Sequence, residues 1–116
     1  MGPIFHIADG AAWRDALAAG EYRCSTLGKT LEEVGFIHCS RREQVAAVAN
    51  ALYQGRSGLV LLTIDRTKVR AEVRDEDLVG AGDVFPHVYG PLNLDAVERV
   101  VAYAPRPDGR FAPPTS

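Results

Sequence analysis

The segment GFIHCSRREQVAAVANALYQGRSGLVLLTID, Gly35 to Asp65, decides how this chain is built. FIHC, Phe36 to Cys39, reads as a short buried strand that ends at Ser40. Ser40 and Glu43 form the S-x-x-E pattern of a capping box, which predicts a helix start. Val45, Val48 and Leu52 then recur at the spacing of an apolar helical stripe, and Gly55 marks the stop. GLVLLTID, Gly58 to Asp65, is a continuous apolar run of strand length, the pattern of a strand covered on both faces.

The flanks separate an α+β fold from a doubly wound one. Upstream, PIFHI (Pro3 to Ile7) reads as the first strand, and Asp9 is placed to cap a helix over GAAWRDALAAG. Trp13, Ala16 and Leu17 share one face of that helix, and Gly20 ends it. EYRCSTL is a loop or a short extended piece, and GKTLEEVG holds one or two helical turns. Downstream the pattern is extended. KVRAEVRDED alternates with Val69, Ala71 and Val73 on one side, FPHVYGPLN is extended and broken by proline, and Leu94 to Ala96 form a turn before a closing strand, VERVVAY. Two main helices early and most strands late predict an α+β fold, as a single domain over residues 1–104. Residues 105–116 are rich in proline and predict a flexible tail outside the fold.

Bulk properties narrow the function. At 116 residues the chain can hold one core without a disulfide or a structural metal. Its formal charge of −2 gives no general field for nucleic acid or an anionic membrane, and no long basic stripe is present. No apolar run is long enough for a membrane span, and MGPIFHIADG lacks the features of a signal peptide. These readings lead us to expect a cytoplasmic protein with reduced Cys24 and Cys39, no membrane partner and a small-molecule ligand. Neither of the glycine-rich phosphate-binding fingerprints occurs.

The candidate chemistry rests on three histidines, His6, His38 and His87, each in a short strand-like segment. His38 and Cys39 are adjacent in a strand, so they face opposite ways and cannot share a metal ion without a bulge. No paired ligand spacing supports a metal, and none is expected. A buried thiol is a poor nucleophile, so Cys39 reads as core; Cys24, beside Arg23, is the looser of the two. Arg41 and Arg42 occupy the first turn of the longest helix, where they oppose the helix dipole; that cost is offset if an anion sits nearby, and equally both could simply face solvent. In FPHVYGPL, Pro86 and Pro91 stiffen an extended segment that puts His87 and Tyr89 on one side.

Taken together, IFHI, GFIHCS, LVLLTID and FPHVYGPLNLDAVERVV resemble the family known as domain of unknown function 952, over Pro3 to Tyr103. That family's fold is similar to the catalytic core of ADP-ribosyltransferases and RNA 2′-phosphotransferases. The resemblance implies a split, mostly antiparallel β-sheet with a cleft for NAD, used as substrate. It implies that His6 and His38 hold ribose hydroxyls, and that Ser40 and the helix start take a phosphate or the nicotinamide amide. Arg41 would contact phosphate, Tyr89 would stack on a ring, and His87 would donate a hydrogen bond, with His38 and His87 the catalytic pair. The late-strand glutamate of such enzymes has no counterpart in PHVYGPL, and Glu98 lies in the last strand. Two functions therefore stand side by side: ADP-ribosyl transfer to a small or phosphorylated acceptor, or a non-catalytic ligand- or protein-binding module that has lost the glutamate.

Overall fold

The computed structural model describes residues 2–78, 80 and 82–114. In chain order its elements are β1 (Ile4–Asp9), α1 (Gly10–Ala19), β2 (Glu21–Tyr22), α2 (Leu31–Val34), β3 (Ile37–His38), α3 (Val45–Leu52), β4 (Leu59–Ile64), β5 (Glu72–Glu76), β6 (Phe85–Tyr89), β7 (Leu92–Asn93) and β8 (Val97–Ala102). All pairings between these strands are antiparallel, in the orders β1-β4-β8, β2-β7 and β3-β6-β5. The fold is α+β.

Strand alternation gives the first sheet two buried faces. Ile4, Ala8, Leu62 and Ile64 meet Trp13 and Ala16 of α1, while Phe5, Ile7, Leu59 and Leu61 meet Val45 and Ala49 of α3. Each aliphatic side chain so buried contributes about 1.5–3 kcal/mol, and the unbroken apolar run of β4 is what two covered faces demand. The helices touch the sheet narrowly: Leu17 and Leu52, expected on their apolar stripes, are exposed. At the start of α1, Asp9 accepts from the Ala11 N–H as its sequence predicts. Gly10 is buried there, and only glycine fits because a Cβ would stand 2.9 Å from the Gly58 carbonyl oxygen.

The sheets join at Ser40. Phe5 N–H donates to the Ser40 carbonyl at 2.8 Å, Ser40 N–H donates to Phe5 at 2.7 Å, and Cys39 N–H donates to Pro86 at 2.9 Å. Residues 39 and 40 thus bind strands of two different sheets. This explains why the expected Ser40–Glu43 box does not form. Ser40 is still in extended pairing, so the helical turn begins later, and the Arg41 N–H is held by the Gln44 side chain at 2.8 Å. The capping box that does form is Thr30–Glu33, at α2.

The C-terminal segment also departs from its expectation. It holds no regular element, yet Phe111 is 1% exposed, packs its ring tilted against that of Tyr103 and exchanges two backbone hydrogen bonds with the Asn50 side chain. Tyr103 O–H donates to Ala112 at 2.6 Å. Composition signalled the lack of pattern; it could not signal that one aromatic anchor would seat the segment. Residues 115–116 lie outside the described set.

Candidate functional site

Sheet β3-β6-β5 has one face in the core and one turned outward. Ile37, Cys39 and Val88 point inward. The two-residue period sends Phe36 and His38, then Phe85, His87 and Tyr89, then Glu72, Arg74 and Glu76 to the other side. Register sets His38 beside His87 and His87 beside Arg74, a row across three strands. Rings tile this face: Phe36 stacks on His87 at 4.1 Å, His38 lies 5.0 Å from Phe85, and the Arg74 guanidinium sits 4.4 Å over Tyr89.

A chain of hydrogen bonds runs through these side chains. Tyr22 O–H meets His6 Nε2 at 2.8 Å, and His6 Nδ1 meets the His38 carbonyl at 2.7 Å. His38 Nδ1 meets His87 Nε2 at 3.2 Å, and His87 Nδ1 meets Glu76 at 3.0 Å. Tyr89 O–H donates to the same Glu76 oxygen. Partner chemistry fixes the tautomers. A carbonyl only accepts, so His6 carries its proton on Nδ1, and its bare Nε2 accepts from Tyr22. Glu76 is a carboxylate, so His87 donates from Nδ1 and accepts at Nε2 from His38 Nδ1. The lone pair of His38 is then on Nε2.

The electrostatics follow from burial. Burial lowers the pKa of His6 to about 4 and is the largest cause lowering that of His38 to about 4. Both are neutral at pH 7. The bonds from Tyr89 and His87 hold the Glu76 carboxyl below its usual range. The Cys39 thiol is pushed up to about 12 by burial, and Cys24 is also raised. Neither thiol is activated. Among the described residues, no group of three or more His, Cys, Asp or Glu is arranged to hold a metal.

The residues singled out by sequence fall into three places. His6, His38 and Ser40 line one small hollow with Ile7, Thr26, Val48 and Tyr53, only about 10 Å³ in volume. His87 and Tyr89 join His38 on the outward sheet face. Arg41 lies elsewhere. With Arg42 and Arg66 it borders a hollow of about 510 Å³, and its guanidinium already meets Glu43, Asp83 and the Val84 carbonyl.

Glu76 escaped the sequence reading. It sits in an alternating, charged strand where any of several carboxylates looks solvated, and only the register with β6 puts it on His87. The second omission is Leu27. At φ 58° and ψ 38° it is the non-glycine with positive φ among the described residues, a conformation costing about 1–2 kcal/mol. It sits at the tip of a narrow turn whose stem is the Cys24–Thr30 bridge. Ser25, on that stem, accepts from the His38 N–H at 3.2 Å.

The chain belongs to the family described as Protein of unknown function (DUF952), whose model matches residues 7–100. It is similar to protein CC0527 from Caulobacter crescentus. The crystal structure of that protein shares 31% identity over 95% of this chain and 93% of its own, with a TM-score of 0.82. Its solution NMR structure gives 29% identity, 96% and 92% coverage and a TM-score of 0.71. No curated protein matches the chain.

Proposed function

We propose that this DUF952 chain is an acid–base enzyme that transfers the ADP-ribosyl group of NAD to a hydroxyl or phosphate acceptor, with His38 as general base. The observation that supports this most is the His38–His87–Glu76 relay, which ends in a carboxylate. A base on the open side of a relay gains strength when the charge it takes up is passed to a buried partner. His38 Nε2 accepts the acceptor's proton, His38 Nδ1 gives its own to His87 Nε2, and the imidazolium so formed rests against Glu76. Meanwhile the ribose–nicotinamide bond breaks, the bond from ribose to the acceptor oxygen forms, and nicotinamide leaves neutral.

Glu76 supplies from β5 the carboxylate that PHVYGPL lacks, and its charge opposes the positive charge developing on the ribose. Tyr89 and Phe36 offer ring faces for stacking. Ser40 offers a hydroxyl at the ribose or the nicotinamide amide, and Arg41 would reach a phosphate from a separate hollow, in exchange for its present partners Glu43 and Asp83. His6 has both nitrogens engaged inside the protein, so it acts through His38 by holding its carbonyl.

Incubation with NAD and mass detection of free nicotinamide tests the reading. Release is expected, and it should fall about 100-fold or more in His38→Asn. Calorimetry showing no heat with NAD or ADP-ribose at millimolar concentration would sink it. The absence of a glutamate from PHVYGPL favours a second reading, a ligand- or protein-binding module without turnover. That reading predicts heat of binding without nicotinamide release.

A further inference from the structure

The sheet β1-β4-β8 ends at β8, and among the described residues no strand lies beyond it. The Tyr103 N–H donates to the Leu59 carbonyl at 2.9 Å, and the pairs Leu61–Val101 and Thr63–Arg99 continue the same parity. The main-chain groups of Arg99, Val101 and Tyr103 therefore turn toward β4, and those of Val100 and Ala102 turn outward. Both of these residues are exposed, and Val100 is one of the large apolar side chains that reach the surface.

Another outer edge of the molecule is built differently. β5 ends the sheet β3-β6-β5, and Glu72, Arg74, Asp75 and Glu76 put charge on nearly every position, which keeps a second strand away. β8 carries charge only at Glu98 and Arg99, where its register with β4 shifts in a bulge. The bulge blunts that end alone. Beyond it, Val100 to Ala104 hold no charge and no proline. On the α3 side of this edge lies a hollow of about 270 Å³, lined by Leu61, Arg99, Val101 and Tyr103 and by Ala112 to Pro114. An alternating row of donors and acceptors is matched by an extended strand, and an uncharged apolar row by a strand of its own kind.

We infer that β8 is a self-association edge, on which a second copy of this chain pairs antiparallel about a two-fold axis at Val101. In that register Val100 lies opposite Ala102 of the second copy. These outward-turned residues exchange both of their main-chain hydrogen bonds, and symmetry repeats the exchange. Val101 meets its own mate across the axis in the closer, non-hydrogen-bonded pair. Arg99 lies opposite Tyr103 of the second copy, a cation beside a ring at the border of the hollow. Other registers fit less well. An axis at Arg99 sets two guanidinium groups opposite each other, and an axis at Val100 draws the bulged Glu98 into the paired row. The result is one sheet in which β1-β4-β8 runs into β8-β4-β1 of the second copy. A strand pair is a small interface, so association belongs at micromolar to millimolar concentration. The His38–His87–Glu76 relay sits on the other three-stranded sheet, and this inference does not rest on the ADP-ribosyl reading.

Sedimentation equilibrium of the full chain from micromolar to millimolar concentration tests the edge. The average mass should rise toward twice that of one chain. Val100→Lys puts a cation on the open edge and should weaken association about tenfold or more. Its circular dichroism should match the parent's, because the Val100 side chain is exposed. Oxidative cross-linking reads the register. Val101→Cys should give a covalent dimer, since non-hydrogen-bonded antiparallel neighbours stand about 4.5 Å apart at Cα. Val100→Cys places its two thiols on a diagonal of about 7–8 Å and should cross-link about tenfold less. The parent, with Cys24 and Cys39, sets the background. A parent that stays monomeric throughout would overturn the association. Undiminished association in Val100→Lys would put the contact on another face and overturn the edge, and equal cross-linking of the two cysteine variants would overturn the register.

Discussion

His6 is a buried imidazole with both nitrogens engaged inside the protein, which makes its position demanding. Its Nε2 has no access to water, so Tyr22→Phe would leave a bare acceptor in the core. That substitution should cost about 1–3 kcal/mol in urea denaturation. The same burial sets a pH dependence. The folded pKa of His6 is about 4 against an ordinary 6.5, so the unfolded chain binds the extra proton first. Stability is therefore full above pH 6.5 and falls as the pH drops toward 4, by on the order of 3 kcal/mol from His6 alone. His38, lowered to about 4, adds to the loss in the same window. Urea midpoints at pH 7 and pH 4.5 measure it, and equal midpoints would show that the imidazoles are not buried as described. At Glu76 the expectation is spectroscopic. Glu76→Gln should shift the His87 Nδ1 proton upfield in NMR, because a neutral amide is a weaker acceptor than a carboxylate.

Elements were legible where one strand or helix carries its own signal. The β4 run, the Asp9 cap, the turn at Leu94–Ala96 and the strand that follows it all stand where local pattern puts them. What failed was whatever depends on a partner. Ser40 has a good cap sequence, but pairing with Phe5 keeps it extended. Glu76 looks like any surface carboxylate until β6 lies beside it. His38 and Cys39, by contrast, separate by strand period alone, and Cys39 is indeed in the core. The C-terminal segment is the sharpest case, because Phe111 has no periodic neighbours and gains its site only from Asn50 and Tyr103. Phe111→Ala should therefore destabilise by about 3 kcal/mol, as a core truncation does, with Asn50→Ala costing about 1–2 kcal/mol through its two lost bonds. Denaturant midpoints compare them, and surface-like values below about 0.5 kcal/mol would mean that the segment is not docked.

For the molecule as a whole, the pairings join distant parts of the chain. Leu61 pairs with Val101 as well as with Ile7, and His38 with His87, so neither of the two three-stranded sheets closes before most of the sequence is present. Ladders of this separation predict folding in milliseconds to seconds rather than microseconds. The two sheets share residues 39 and 40 and one core cluster, so they should unfold together. Far-UV circular dichroism and backbone amide NMR signals from both sheets should then trace one urea transition, whereas two separated transitions would show the sheets to be independent. The packing around α1 has a further use. Trp13 is the only tryptophan of the chain, and its ring lies 6.2 Å from that of Tyr22, the residue that holds His6. The protein thus contains its own optical gauge, in which indole emission reads the state of the Tyr22–His6 couple without dye, label or added chromophore.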